Sequence, residues 1–276
     1  MRLFFRKPEW YPIGGGMVMY LDPADFMDCQ FYRRCYDNVL LEVIKRFVRA
    51  GDLCVDVGAQ KGYVALHLSK QVGDSGRVLA FEPDPRAREQ LERNLARNQA
   101  ANTTAFPWAV GESEGTATFH LSSQLGWSTR FPNDLAKPTL VKSIEVPIKP
   151  LTSVFDDPQL RERLSRLAFV KIDCEGSEPQ ALRGMAGILR ETGATVWIEV
   201  NAGSLQAAGQ SAESIRAFLS DLGYVGYCTR GKHPNGKLVI TYEAVHDARS
   251  LPPSVTDLLF VKRDKSLVEA DQGSIK

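Results

Sequence analysis

Cysteine is scarce and poorly placed for cross-linking: the chain has five, at 29, 35, 54, 174 and 228, and none forms a Cys-x-x-Cys pair. An odd number without close spacing argues against a disulfide framework and against a zinc cluster. Excess charge of one sign is also missing, because 34 Lys and Arg face 33 Asp and Glu for a net charge of +1. No broad positive field therefore exists to hold a phosphate polymer, and nucleic acid is not the expected partner. No apolar run approaches the roughly 20 residues that cross a bilayer. The opening from Met1 to Pro8 is too short and too charged for a secretory leader. The expectation is a cytoplasmic protein with no membrane span. Histidine is limited to positions 67, 120, 233 and 246, without ligand spacing.

What remains is the composition of an ordinary globule, 43% hydrophobic and 24% charged over 276 residues, enough to bury a continuous core. Residues 1–50 read as an N-terminal segment packing over a site, 51–263 as the main domain with a strand–loop insert at 112–149, and 264–276 as a polar tail. The first segment holds the glycines at 14–16 and ends in a helix marked by Leu40, Ile44, Phe47 and Val48. From Asp52 onward the chain alternates. Strands are expected over Leu53–Val57, Arg77–Phe81 and Thr103–Val110, and helices over Tyr63–Gln71 and Arg86–Asn98. Further strands fall at Gly115–Leu121, Ser143–Lys149, Ala168–Ile172, Thr195–Val200, Tyr224–Cys228, Leu238–Tyr242 and Asp257–Val261. A helix starts near Pro179, and another is N-capped by Ser211. Strands separated by helices of this length mean βαβ units and a mostly parallel sheet with helices on both faces, an α/β Rossmann-like fold.

The sharpest signal lies where the first of these strands turns into a helix, at Asp56, Gly58 and Gly62 in Cys-Val-Asp-Val-Gly-Ala-Gln-Lys-Gly. Glycine at 58 lets the backbone come close to a ligand, and glycine at 62 permits tight packing of helix on strand. Twenty residues on, Glu82 ends the next strand, the position from which a carboxylate accepts hydrogen bonds from ribose hydroxyls. The pattern is not G-x-G-x-x-G, since position 60 is Gln. A pyrophosphate wants more glycine, and Asp56 repels it while attracting a cation. A nucleoside joined to a cationic amino acid satisfies these features together, which points to S-adenosylmethionine as cofactor.

The second signal is Phe-Val-Lys-Ile-Asp-Cys-Glu-Gly-Ser-Glu over 169–178, which crowds Asp173, Glu175 and Glu178 at the end of an apolar strand. Glu178 fits the first turn of the next helix as a dipole-complementing acid. Asp173, together with Glu199 in Trp-Ile-Glu-Val-Asn at 197–201, reads as catalytic.

Taken in order, Asp-Val-Gly-Ala at 56–59, Ala-Phe-Glu-Pro at 80–83, Ala-Val-Gly at 109–111, Lys-Ile-Asp-Cys-Glu-Gly-Ser-Glu at 171–178 and Ile-Glu-Val-Asn at 198–201 resemble the motifs of FkbM-type methyltransferases. The resemblance implies the class I methyltransferase fold, use of S-adenosylmethionine, and methylation of a hydroxyl on a sugar, glycan or natural product. It places Asp56, Gly58 and Gly62 beside the methionine part and Glu82 on the ribose, with Trp108 and Ala109 lining the adenine. Gln60 stands where the family usually has Asn, and Cys174 replaces an aliphatic residue. Neither is assigned a role in the chemistry.

Methyl transfer needs an acceptor oxygen held in line with the methyl carbon and relieved of its proton. Asp173 is the expected general base. The alternative is a Mg²⁺ ion held by Asp173, Glu199 and Asn201, which is not favoured. The Ser122–Lys142 stretch and the aromatics Tyr32 and Tyr36 are expected to cover the acceptor. A catalytically silent nucleoside-binding module and an N-methyltransferase on a small metabolite remain as alternatives.

Overall fold

The computed structural model describes residues 5–134, 136–232, 238–247 and 256–264. The chain opens with a hairpin, β1 (Glu9–Gly14) and β2 (Met17–Leu21), followed by α1 (Phe26–Arg33) and α2 (Asn38–Phe47). The alternating part begins with β3 (Leu53–Val57), α3 (Tyr63–Val72), β4 (Arg77–Phe81), α4 (Pro85–Arg97) and β5 (Thr103–Phe106). An excursion follows as β6 (Ala109–Val110), β7 (Gly115–Ser122), β8 (Leu140–Lys149) and α5 (Pro158–Arg163). The chain then returns through β9 (Leu167–Ile172), α6 (Glu178–Arg183), α7 (Ala186–Thr192), β10 (Thr195–Val200), α8 (Ala202–Ala207), α9 (Ala212–Asp221), β11 (Tyr224–Lys232), β12 (Val239–Val245) and β13 (Thr256–Lys262). No helix among the described residues is long and apolar enough to cross a membrane.

The main sheet has the order β12-β11-β13-β10-β9-β3-β4-β5. Strands β5, β4, β3, β9 and β10 are mutually parallel, and β13 enters antiparallel between β10 and β11. This is the class I methyltransferase arrangement that the sequence implies. Apolar clusters cover both faces, so side chains of one strand alternate between them: Leu53, Val55 and Val57 pack on one side and Cys54 on the other. That double burial is why the central strands read as unbroken apolar runs.

Three expectations are corrected. Thr103–Val110 is not one strand, because Pro107 lacks the N–H a ladder needs; β5 stops at Phe106, and β6 joins a separate sheet of order β6-β8-β7. The helix near Pro179 is two, α6 and α7, broken at Gly184, where a Cβ would overlap the Gly111 carbonyl. The first segment contains a hairpin and α1 before the expected helix, its tight turn made by Gly15 and Gly16 at positive φ. Ser211 caps α9 as expected, its hydroxyl accepting the Ser214 N–H at 3.2 Å. Of the polar tail, only Asp264 is among the described residues.

Candidate active site

At the carboxyl ends of β3, β4, β9 and β10 lies a cavity of about 240 Å³. Gly58, Glu82, Trp108, Ala109, Asp173 and Glu199 line it. A larger groove of about 1210 Å³ sits elsewhere, among Lys70, Arg77, Arg97 and Arg163, and contains none of the motif residues. Asp56 and Gly62 do not line this cavity.

The reasons are local. Gly62 opens α3 at φ +91°, and a Cβ there would meet the Leu91 side chain at 2.5 Å, so this glycine serves helix packing. Gly58 has φ +76°, and its hydrogen faces the Asp173 carbonyl, which a Cβ would overlap. The close approach that demands glycine is therefore made to the chain's own backbone. A Gly58→Ala variant is expected to lose at least about 2 kcal/mol of stability from the forbidden φ and the clash together. Denaturant unfolding checks this.

Glu82 is 6% exposed, its two carboxylate oxygens accepting the Gln60 and Asp84 N–H groups, each at 2.8 Å. Burial pushes its pKa up to about 7 in spite of those bonds. Each oxygen keeps a further lone pair for hydroxyl donors. Gln60 takes a left-handed backbone at φ +50°, and its Nε2 is buried against the cavity with no hydrogen-bond partner among the described residues. An orphaned buried donor is costly unless a ligand accepts from it. Lys61 turns the other way: it is 2% exposed and forms 2.7 Å ion pairs with Asp25 and Asp28, tying α1 to the glycine turn. Trp108 packs on Phe81, with ring centres 4.7 Å apart, to make an apolar wall.

The opposite wall is ionic. The sheet face that carries Cys54, Phe169, Trp197 and Leu259 continues, two residues on or two back, to Asp56, Lys171, Glu199 and Asp257. Period-two alternation thus brings ionisable side chains from four adjacent strands to one face. The Lys171 ammonium donates to the Gly58 carbonyl at 2.9 Å and lies 3.1 Å from Asp173 Oδ2 and 3.5 Å from Asp56 Oδ1. Burial opposes its charge, but Asp173 and Asp56 hold its pKa above the ordinary lysine value, so it stays cationic. Sequence reasoning gave Lys171 no role, although a lysine at a core-facing position of an apolar strand needs counter-charges.

Asp173 and Glu199 share a hydrogen bond. Against burial, the charge of Lys171 and bonds from Glu199 and Lys171 hold Asp173 below its usual range. The Asp173 charge, followed by burial, pushes Glu199 well above the ordinary carboxylate range. Of the two, Glu199 is the one that keeps its proton more readily. Glu175, raised by burial to about 8, completes a cluster in which Asp173, Glu175 and Glu199 each offer an oxygen within 4.8 Å of the others. Asn201 is not part of it: its side-chain oxygen caps α8, accepting the Gly203 and Ser204 N–H groups. The expected metal set is corrected accordingly. Glu178 accepts the Cys174 and Gly176 N–H groups, and burial raises the Cys174 thiol well above its usual value, which suits packing.

The insert crosses the cavity. Leu125, Gly126 and Trp127 line it, while Ser128 donates to Asp84 at 2.9 Å and Thr129 to the Glu175 carbonyl at 2.7 Å. Tyr36 lines the cavity, but Tyr32 does not; it stacks on Phe5 with a centre separation of 4.4 Å.

Comparison with known proteins agrees with the motif order. Residues 56–225 match the Methyltransferase FkbM domain. Methyltransferase sdnD of Sordaria araneosa is 28% identical over 178 residues, covering 56% of this chain and 66% of that protein. Methyltransferase 1 of Beauveria bassiana is 25% identical over 187 residues, 60% of this chain and 71% of that protein. The chain thus spans about two thirds of the length of these relatives. A solved FkbM methyltransferase from Methylobacillus flagellatus aligns with 86% of this chain and 55% of its own, at 18% identity and a TM-score of 0.44. The domain match begins at Asp56 in β3 and ends at Val225 in β11, taking in the cavity wall and more than half of the sequence, so the chain belongs to the FkbM methyltransferase family.

Proposed function

We propose that the protein transfers the methyl group of S-adenosylmethionine to a hydroxyl of a sugar, glycan or natural product. The observation that carries this reading is the pairing, in one cavity, of a nucleoside-type end at Glu82 with a hydrogen-bonded carboxyl pair at Asp173 and Glu199. The residues fit the cofactor. Glu82 has acceptor capacity for both ribose hydroxyls, Gln60 Nε2 needs an acceptor such as the amino-acid carboxylate, and Trp108 and Ala109 offer a flat apolar wall for the adenine. Gly58 lies beside the methionine part. Asp56 acts at one remove, by holding Lys171.

When bound, S-adenosylmethionine supplies an electrophilic methyl on a cationic sulfur. Asp173 takes the acceptor proton as the oxygen attacks, and Lys171 keeps that carboxylate ionised and oriented. Because Lys171 already supplies a positive charge at Asp173, transfer without a metal is favoured over one assisted by Mg²⁺. Titration calorimetry with S-adenosylmethionine, S-adenosylhomocysteine and NAD tests the cofactor, and tight binding of NAD alone would overturn the assignment. A gain of one methyl mass on a hydroxylated acceptor tests the reaction.

Glu82 gives a pH signature. It accepts from ribose only when ionised, and in the free protein its pKa lies at about 7. Affinity for S-adenosylhomocysteine is expected to weaken up to about tenfold per pH unit below 7 and to level off above it. Glu82→Gln is expected to bind at least about tenfold more weakly at pH 8 and to lose that dependence. Calorimetry across pH checks both.

A further inference from the structure

A second cavity of about 420 Å³ adjoins the first, and Tyr36, Lys171, Asp173 and Glu199 form the wall common to both. Beyond that wall it is lined by Asp37, Asn38 and Asp257, and no arginine or histidine faces it among the described residues. Its one cation among the described residues, Lys171, is already engaged by Asp56, Asp173 and the Gly58 carbonyl. Tyr36 stands at the junction. Its ring is fixed edge-on between Phe31, at 5.0 Å, and Tyr63, at 5.5 Å. Its hydroxyl lies within electrostatic reach of Asp173, Asp37, Glu199 and Asp257, yet makes no hydrogen bond among the described residues. A half-buried phenol on a rigid ring, open to the cavity and without a protein partner among the described residues, is available to a ligand.

We propose that the acceptor enters through this second cavity, that the Tyr36 hydroxyl positions it toward Asp173, and that the acceptor is a hydroxyl-rich molecule carrying no negative charge. The inference rests on the methyl-transfer reading. The phenol can accept from one acceptor hydroxyl or donate to a neighbouring oxygen, which fixes the attacking oxygen beside the Asp173–Glu199 pair. The carboxyl groups around it exchange hydrogen bonds with further hydroxyls, whereas a carboxylate or phosphate on the acceptor would face the ionised Asp173 beside three further acidic groups, without a free counter-ion among the described residues.

The test uses the full chain, Tyr36→Phe, and a metabolite and glycan extract split on an anion exchanger into retained and unretained fractions. With tritium-methyl-labelled S-adenosylmethionine, label is expected in the unretained fraction, and Tyr36→Phe is expected to lower its incorporation at least tenfold. The variant should bind S-adenosylhomocysteine within twofold of wild type and melt at the same temperature or higher, since no protein hydrogen bond is lost. Equal incorporation by the variant, or weaker cofactor binding or a lower melting temperature, would overturn the role of Tyr36. Label confined to the retained fraction would overturn the charge class while leaving methyl transfer standing. No label in either fraction from protein that binds S-adenosylhomocysteine would overturn the methyl-transfer reading, and this inference with it.

Discussion

Asp173→Asn is expected to reduce methyl transfer by about 10²- to 10⁴-fold, the range for loss of a general base, while leaving the dissociation constant for S-adenosylhomocysteine within about threefold. The amide is nearly isosteric, so the wall keeps its shape. What disappears is the negative charge that holds Lys171 at 3.1 Å and that makes Glu199 the more readily protonated partner. Glu199, released from that repulsion, ionises more readily but cannot restore an acceptor at the Asp173 position. In the wild type at saturating cofactor, the single-turnover rate is expected to hold down to pH values below the usual carboxylate range, because Asp173 titrates low. It then falls as Asp173 is protonated. EDTA is expected to leave the wild-type rate unchanged. Single-turnover rates and calorimetry separate the outcomes: a variant with wild-type turnover removes Asp173 from the chemistry, and loss of rate with EDTA would shift the burden to a metal on the three-carboxylate cluster.

Lys171→Met carries the largest expected effect on stability. The ammonium is 4% exposed and is the counter-charge for both Asp56, fully buried, and Asp173. Removing one member of a buried ionic group leaves the others uncompensated, at a cost of about 3–5 kcal/mol. The pH dependence gives the sign. In the wild type Asp173 titrates below its unfolded value, so its contribution is present above that value and is lost as pH falls through the lowered one. Lys171 titrates above its unfolded value, so its contribution is complete below that value and is lost only in strong alkali. The wild type is already expected to gain stability as pH falls through neutrality, because Glu82 and Glu175 titrate there; in the variant Asp56 and Asp173 lose the cation that lowers them, and this dependence is expected to steepen. Adding Asp56→Asn to Lys171→Met should restore part of the loss. Denaturant unfolding from pH 5 to 9 checks both, and a single variant as stable as wild type would show that the buried row does not depend on its lysine.

Much of the architecture was legible because it follows from chain-local physics. Apolar runs of five or six residues, spaced by helical patterns, can be satisfied only by strands buried on both faces, and the central strands β4, β3, β9 and β10 came from that rule. The failures have equally local causes. Pro107 divided a strand that looked continuous by residue type, and Gly184 broke a helix through contact with Gly111, a residue far away in sequence. Glu82, Asp173 and Glu199 were expected because acids at strand ends stand out, and all three line the cavity. Asp56 was expected for the same reason, but its side chain faces Lys171 and does not line the cavity.

The sequence alone determined the sheet, the carboxyl-end location of the motifs and the family, because each depends on residue type and spacing along one segment. Only the tertiary structure decided which acids face a ligand and which face each other. Asp37, Asp173, Glu199 and Asp257 come from four separate elements, and their protonation depends on distances that no spacing encodes. The same holds for Tyr36, whose hydroxyl has no protein partner among the described residues, and for Lys171, whose charge is held by Asp173 close by and by Asp56 more than a hundred positions away.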